Sequence, residues 1–325
     1  MPLVITELND NHSIAYCLLG YLCAYFRYYY PLEFITSFLN NAANDDDIKN
    51  GTKLATSLKI NITPPKWGVS RNEYAFNNEK RIIAKGLGSI KYIGSTVADE
   101  LFELSKKKHY KTFVELLKDI NEYTRVDARQ IEILIKLDFF SAFGNQRELL
   151  KIMDIFINLF NSGDAKQIKK SKVDDTPIGE VIKKYSVGVT KSGGVAKSYT
   201  LLDIESILNE SEALVKSVGL TDISETVKAK NFTEYMGYMG YVTDKQEDRR
   251  KLYIFDIFPI KRHSDGMQFG YNILTKSIGS GKESRMTVFN RDYDKNPIKK
   301  GDVIYCQEFR RKGEYFELLK YRQLV

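Results

Sequence analysis

The stretch from Ile90 to Leu101 holds the residues with the clearest chemical purpose. A glycine in a short turn between helices lets backbone N–H groups approach a phosphate closely, and the helix that follows aims its positive N-terminus at the same anion. Gly94 supplies that glycine within Tyr92-Ile93-Gly94, Ser95 or Thr96 caps the next helix, and Ala98 and Leu101 face inward. Lys85 and Lys91 add positive charge nearby. This is the texture of a helix–hairpin–helix, although the string alone serves equally well for an ordinary helical corner. Arg125, Arg129 and Lys136, around the helix Ile131 to Leu137, form a second set able to touch a phosphate backbone. Taken alone, that set reads as solvated surface charge.

A third set lies near the C-terminus. Arg249-Arg250-Lys251, Lys261-Arg262 and Arg310-Arg311-Lys312 alternate with Tyr253, Phe255, Phe269, Tyr271, Phe289 and Phe309. Basic grooves with aromatic faces grip single strands, because every base offers a face to stack on. The same alternation also describes a barrel core with solvated turns, and the two readings stand level.

Enzymatic chemistry finds less support. Asp292-x-Asp294 has the spacing of a metal-holding pair but sits in a turn beside Asn290, Asn296 and Pro297. Asp45-Asp46-Asp47 reads as a helix start and Asp174-Asp175 as linker. His12, His109 and His263 are far apart, and Cys17 and Cys23 share one helix, so no zinc spacing appears. Without a phosphate-binding P-loop, a Gly-x-Ser-x-Gly or a Cys–His pairing, nucleophilic catalysis has no candidate.

The elements that must position these groups follow from periodicity. Ala15, Leu18, Leu19, Leu22 and Phe26 recur at helical spacing, with Ser13 as expected N-cap, and the apolar run Ile14 to Phe26 reads as a buried helix. Pro31 breaks it, and a second short helix carries Leu32, Phe34, Ile35 and Phe38. Acids at 45–47 open a helix to about Leu58, an extended segment reaches Pro65, and 73–84 forms a hairpin turning at Asn77-Asn78. Helices are expected at about 112–121, 128–138, 145–161 and 201–217. Apolar density falls between Ser162 and Ser198, which predicts a linker or a poorly ordered excursion. From about Phe232 the period becomes two, with five strand candidates in ninety residues, so a small barrel of OB type is expected.

The 325 residues allow two or three domains, and 43% hydrophobic with 28% charged residues is a folding composition. Three cysteines suit a reducing compartment, and the run at 14–26 is short for a membrane span and rich in tyrosine, so a cytoplasmic protein is expected. The net charge of +7 favours anionic partners, and residues 232–325 hold 18 Lys/Arg against 13 Asp/Glu.

The order of segments resembles bacterial replicative DNA polymerase III alpha subunits, the C-family polymerases. The resemblance rests on Asn11-His12-Ser13-x-Ala15-Tyr16, Tyr30-Pro31-Leu32-Glu33-Phe34, Leu39-Asn40, Ile62-x-Pro64-Pro65, Gly86-Leu87-Gly88-Ser89-Ile90-Lys91, Arg129 to Leu137 and Phe139-x-x-x-Phe143-Gly144. It covers about the first 155 residues in the family's order. The segment after 232 matches in kind, and 162–230 matches poorly.

The resemblance implies an α+β multidomain fold: an all-α N-terminal half with tandem helix–hairpin–helix, and a C-terminal five-stranded OB-like β-barrel. It divides the chain into a fingers remnant (1–41), a DNA-binding domain (42–161), a linker and helical segment (162–231) and the OB-like domain (232–325). His12, Ser13 and Tyr16 inherit a place near the incoming nucleotide. Gly88, Lys91, Gly94 and Ser95, joined by Arg125 and Arg129, inherit contact with duplex phosphates. Single-strand contact would fall to Arg249, Arg250, Tyr253, Arg310 and Arg311. Tyr92 stands where the family's hairpin has its first glycine, which weakens phosphate contact at that turn. The family's PHP, palm and thumb domains are not matched, so the catalytic acids and their Mg2+ would belong to a palm-bearing partner, with no cofactor bound by this chain alone. The implied protein is not catalytic by itself; it holds primer–template or duplex DNA, and single-stranded DNA, in the cytoplasm of a bacterium or phage-infected cell, with no membrane partner. A stand-alone DNA-binding adaptor or replication inhibitor is the alternative, and a nuclease built on Asp292 and Asp294 the third.

Overall fold

The computed structural model describes residues 10–160, 167–189, 193–313 and 315–324, with the side chains of residues 10–12 outside that description. Helices α1 (Asp10–Tyr29), α2 (Pro31–Asn40) and α3 (Asp45–Ser57) come first. The break between α1 and α2 is the proline, placed in the first turn of α2 where its missing N–H costs nothing. Asn44 caps α3 by accepting from the amides of Asp46 and Asp47, and the acids at 45–47 fill the first turn.

Two expectations for α1 fail. The helix begins at Asp10, so Ser13 lies inside it and caps nothing. It is also exposed on every side: Tyr16 is 71% exposed, and Ile14, Leu18, Tyr21 and Tyr28 are more than half exposed. Periodicity identified the helix correctly, but its contacts run chiefly to α2 at one end, and no described element covers its faces.

Strands β1 (Asn61–Thr63), β2 (Ala75–Asn77) and β3 (Ile82–Ala84) form a small sheet in the order β1-β3-β2. It closes over α2 and α3 around Leu32, Ile35, Leu39, Ala55, Ile60 and Ile83. A single 3-10 turn, Leu87–Ser89, precedes α4 (Ser95–Lys107), so the first arm of the expected hairpin is one turn and not a helix. Then come α5 (Phe113–Tyr123), α6 (Ala128–Lys136) and α7 (Gln146–Leu159). Both α6 and α7 open with reciprocal capping boxes, Asp127 with Gln130 and Asn145 with Glu148. Trp67 packs against Tyr110, Phe139 and Phe140, fastening the chain after β1 to the helices.

The interval read as linker is folded where it is described; residues 162–166 and 190–192 lie outside the described residues. Strands β4 (Gln167–Lys169), β5 (Ser186–Val189) and β6 (Val195–Leu201) make a sheet in the order β4-β6-β5, with α8 (Pro177–Lys184) between β4 and β5. Helices α9 (Ile204–Val218) and α10 (Glu225–Met236) follow. Val173, Ile182, Tyr199, Leu201 and Ile207 join the core that α4–α7 build. Glu212 on α9 also accepts from the amides of Phe113 and Val114, sealing the start of α5. Short strands with little periodicity are held here by long-range packing, which local composition does not reveal.

The last element is a closed barrel of β7 (Lys251–Lys261), β8 (Gln268–Ser277), β9 (Glu283–Phe289), β10 (Val303–Lys312) and β11 (Tyr315–Leu324). Around the barrel the order is β7-β8-β9-β11-β10 and back to β7, antiparallel except where β9 and β11 run parallel. A short helix, Asn290–Tyr293, lies between β9 and β10. This is an OB-like arrangement, as the five strand candidates predict. The barrel is seated against α10 through Ala229, Met239, Tyr253, Ile278 and Val303.

Candidate nucleic-acid interface

The hairpin from Ile90 to α4 and the hairpin from α5 to α6 meet at their loops. Gln130 Nε2 donates to the carbonyl of Tyr92 at 2.9 Å, and the Arg129 guanidinium lies 4.3 Å from the centre of the Tyr92 ring. The amide of Arg125 donates to Glu100 on α4 at 2.7 Å. Lys91 is anchored through its amide to the carbonyl of Tyr235, leaving its side chain exposed. Lys91, Gly94, Ser95, Arg125 and Arg129 are thereby held on adjoining loops and helix starts, all exposed.

The N-terminus of α4 differs from those of its neighbours. Thr112 and Glu212 satisfy the first amides of α5, and Asp127 closes α6. Helix α4 begins after Gly94, which supplies no side chain, and its first turn holds no acid. A Cβ at Gly94 would meet no atom within 4 Å, and its φ of −80° is ordinary. Glycine there keeps the helix start bare without any backbone strain demanding it. The amides of the first turn and the positive end of the helix dipole therefore face open space beside Lys91 and Arg129. At α6 the Asp127 carboxylate occupies the equivalent place, so the two hairpins are not equivalent toward an anion.

Tyr92 has a φ of +71°, a left-handed conformation that glycine adopts freely and a tyrosine does not. The ring is turned outward, 59% exposed, under Arg129.

Other predicted positions are placed differently. Gly88 donates its amide to the carbonyl of Asn72, and a Cβ there would come within 2.3 Å of Asn72 Oδ1. The backbone oxygen of Asn72 would lie 3.1 Å from that Cβ, and the N–H of Gly88 is spent inside the protein. Lys85 adds no surface charge to the hairpin: it is 2% exposed and donates to Tyr238 Oη at 2.7 Å. Burial pushes its ammonium down to about 7, with Asp45 opposing the shift. Ser13 is half-buried and Tyr16 exposed on α1, while the His12 side chain lies outside the described residues.

On the barrel, Arg249 and Arg250 are exposed, the latter donating to the carbonyl of Gln307. Arg310 and Arg311 are exposed on β10, Arg310 pairing with Glu317 at 2.7 Å and Arg311 donating to the carbonyl of Gly313. Tyr253 is 7% exposed in the seam between barrel and α10, out of reach of a strand. Phe309 is 47% exposed and meets Phe316 edge to face, and Lys312 stands over the Phe289 ring, which stacks on Phe269. Phe316, opposite Arg311 in the β10–β11 register, lies on the side of the ribbon that carries Phe309 and Arg311, and Arg310 and Lys312 alternate to the other side.

Asp292 is engaged by Arg291 at 3.3 Å and Lys295 at 3.6 Å. Among the described residues no three His, Cys, Asp or Glu side chains gather as a metal site would require. No helix there is long and apolar enough to cross a membrane.

Residues 59–150 match the family described as a helix-hairpin-helix motif. A DNA polymerase III subunit alpha of Campylobacter jejuni is 26% identical over 262 residues, covering 70% of this chain and 22% of the relative. The subunit of Aquifex aeolicus is 28% identical over 254 residues, 73% of this chain and 21% of its own length. That of Chlamydia pneumoniae is 32% identical over 148 residues, 44% of this chain and 11% of the relative. The chain thus spans about a fifth of the length of the first two. With the paired loops and the OB-like barrel, these likenesses show that the chain is homologous, over part of its length, to DNA polymerase III alpha subunits.

Proposed function

We propose that this chain is a DNA-holding segment of a replicative polymerase. In this reading the bare start of α4 takes a phosphate of primer–template duplex, and Lys91, Arg125 and Arg129 take neighbouring ones. The exposed β10–β11 end, with Phe309 and Arg311 on one side and Arg310 and Lys312 on the other, handles the single-stranded template, together with Arg249 and Arg250. The observation that carries the reading is the contrast at the paired loops: Thr112 and Glu212 take the first amides of α5 and Asp127 caps α6, and α4 is left open beside Lys91 and Arg129.

The remainder follows from homology and the exposed helix. Helix α1 presents apolar side chains in every direction, a surface that soluble proteins ordinarily cover. A separate palm-bearing chain would cover it, and His12, Ser13 and Tyr16 would then lie toward the incoming nucleotide. Catalysis, with its Mg2+, belongs in this reading to that partner. The divisions at 41, 161 and 231 become functional ones, with 167–218 bracing the duplex-holding core.

The first test is binding to a labelled primer–template junction against duplex and single strand across a salt series. Preference for the junction with a steep negative slope supports the reading. Absence of binding at low salt overturns it. Normal DNA binding, with no capture of or activity gain in a co-expressed palm-bearing chain, would leave a stand-alone DNA-binding adaptor.

A further inference from the structure

Lys85 is among the largest fully buried side chains, and it lines a cavity of about 590 Å³ where the helical body meets the barrel. Lys276 on β8 lines the same cavity, as do Lys136 and Lys228. The last two are paired, Lys136 with Glu132 at 2.7 Å and Lys228 with Asp222 at 2.6 Å and Asp138 at 3.3 Å. The first two are not. Lys85 donates only to Tyr238 Oη, lies over the rings of Tyr238 and Phe232, and is supported by Asp45 through space alone. Lys276 is half-buried, with Glu283 supporting its charge through space while the Glu283 carboxylate pairs with Lys53 at 3.6 Å. Among the described residues neither ammonium has an ion-pair partner.

Removing an ammonium from water without a counter-charge is costly, and two such groups line this one cavity. Gln146 is 1% exposed and lines the same cavity, and its Oε1 has no partner. Asp138 and Asp244 also line the cavity, Asp138 paired with Lys228 and Asp244 exposed at the rim. Its four lysines thus outnumber its two carboxylates, Lys85 and Lys276 are left without one, and Gln146 holds an unspent acceptor. The cavity's volume falls in the range of small-ligand pockets and is far too small for a duplex. Lysines act as point charges toward phosphate, and the exposed rim residues Thr56, Asn61 and Asp244 leave it an entrance.

We infer that this cavity binds a small, free phosphate-bearing anion, with Lys85 and Lys276 as its charge partners and Gln146 Oε1 accepting from a protonated phosphate oxygen or a sugar hydroxyl of it. The site is separate from the paired loops and does not depend on the DNA-holding reading.

Titration calorimetry of the full chain with inorganic pyrophosphate and, in a second arm, adenosine monophosphate tests it. Saturable binding is expected, at least tenfold weaker in both Lys85→Met and Lys276→Met, with duplex affinity unchanged in each. Tighter binding of adenosine monophosphate assigns a nucleotide, and tighter binding of pyrophosphate an inorganic anion. Lys85→Met keeps the side-chain volume, so a misfolded Lys276→Met protein, detected by circular dichroism, still leaves a decisive variant. Binding of neither probe, or binding undiminished by substitution, as for anions held on the outer surface, overturns the inference.

Discussion

The guanidinium of Arg129 lies 4.3 Å from the ring centre of Tyr92, joining the first residue of one hairpin turn to the helix that follows the other. Tyr92 holds this position at a φ of +71°, and Gln130 fixes its carbonyl from the same helix. Left-handed backbone at a non-glycine costs about 1–3 kcal/mol, and an exposed cation–π contact returns about 0.5–1 kcal/mol. The tyrosine is thus maintained against its own backbone preference at the point where the two loops must stay in register.

Arg129→Ala should weaken duplex binding uniformly across sequences and lower the salt slope by about 1, as loss of one phosphate contact does. Tyr92→Gly should leave the melting temperature equal or higher while loosening Arg129, and so lower DNA affinity without lowering stability. A salt slope unchanged in Arg129→Ala would remove that residue from the interface.

Gly94→Asp separates the anion-site reading from a merely structural turn. The site is roomy and its backbone extended, so an aspartate fits and caps α4, stabilising it by a few tenths of a kcal/mol or about 1 at most. The same carboxylate would repel a phosphate. Thermal melts should therefore move up while duplex affinity falls several-fold, and parallel movement of the two would contradict the assignment.

Lys85 predicts a pH dependence. Its ammonium is pushed down to about 7 by burial, against 10.5 for a free lysine, with Tyr238, Phe232 and Asp45 as the groups that face it. Between these values the unfolded chain holds the proton and the folded protein does not, so stability rises with pH by up to about 1.4 kcal/mol per unit. Below pH 7 both states are protonated and the full penalty stands. Urea unfolding should find Lys85→Met more stable than the parent at pH 6, with the gap narrowing from pH 7 toward 10. A gap constant with pH would show that the charge is compensated.

Much of this fold is legible because local signals agree with it. Pro31 marks the α1–α2 break, the expected helices at about 128–138 and 145–161 appear as α6 and α7, and alternation marks all five barrel strands. What escapes is set by distant residues. Lys85 is buried by Tyr238, 153 positions away, and the amide of Gly88 is taken by the carbonyl of Asn72. Tyr253 alternates correctly, yet α10 covers the face on which it lies. Between 167 and 201 the strands are short, and they are held by packing against α4–α9.

Glu212 provides the test of that packing. It is 3% exposed, accepts the amides of Phe113 and Val114 at 2.9 and 2.8 Å, and pairs with Lys216 at 2.7 Å. Glu212→Ala leaves two amides at the start of α5 without an acceptor and should cost about 2–4 kcal/mol. Glu212→Gln keeps one acceptor and should cost about half as much. Both measured by urea unfolding would establish that the segment after 200 belongs to the helical core, and a negligible loss in Glu212→Ala would return it to the role of a tether.

The barrel carries the last prediction. Phe309 and Lys312 stand at the exposed β10–β11 end, whereas Tyr253 is sealed against Met239 and Ile278. If this face stacks bases, Phe309→Ala should weaken single-strand binding by about 1–3 kcal/mol while duplex binding and stability stay near the parent. Lys312→Ala should lower the salt slope on single strands, because one cation is lost and Glu317 keeps Arg310 as its partner. Tyr253→Ala should do the reverse, destabilising the fold by about 3–5 kcal/mol as a large buried aromatic does, with single-strand affinity kept at temperatures where the variant is folded. Fluorescence anisotropy on an oligothymidine, read beside thermal melts, separates the two patterns. A Phe309→Ala protein that binds single strands as tightly as its parent would leave the aromatic alternation as barrel packing alone.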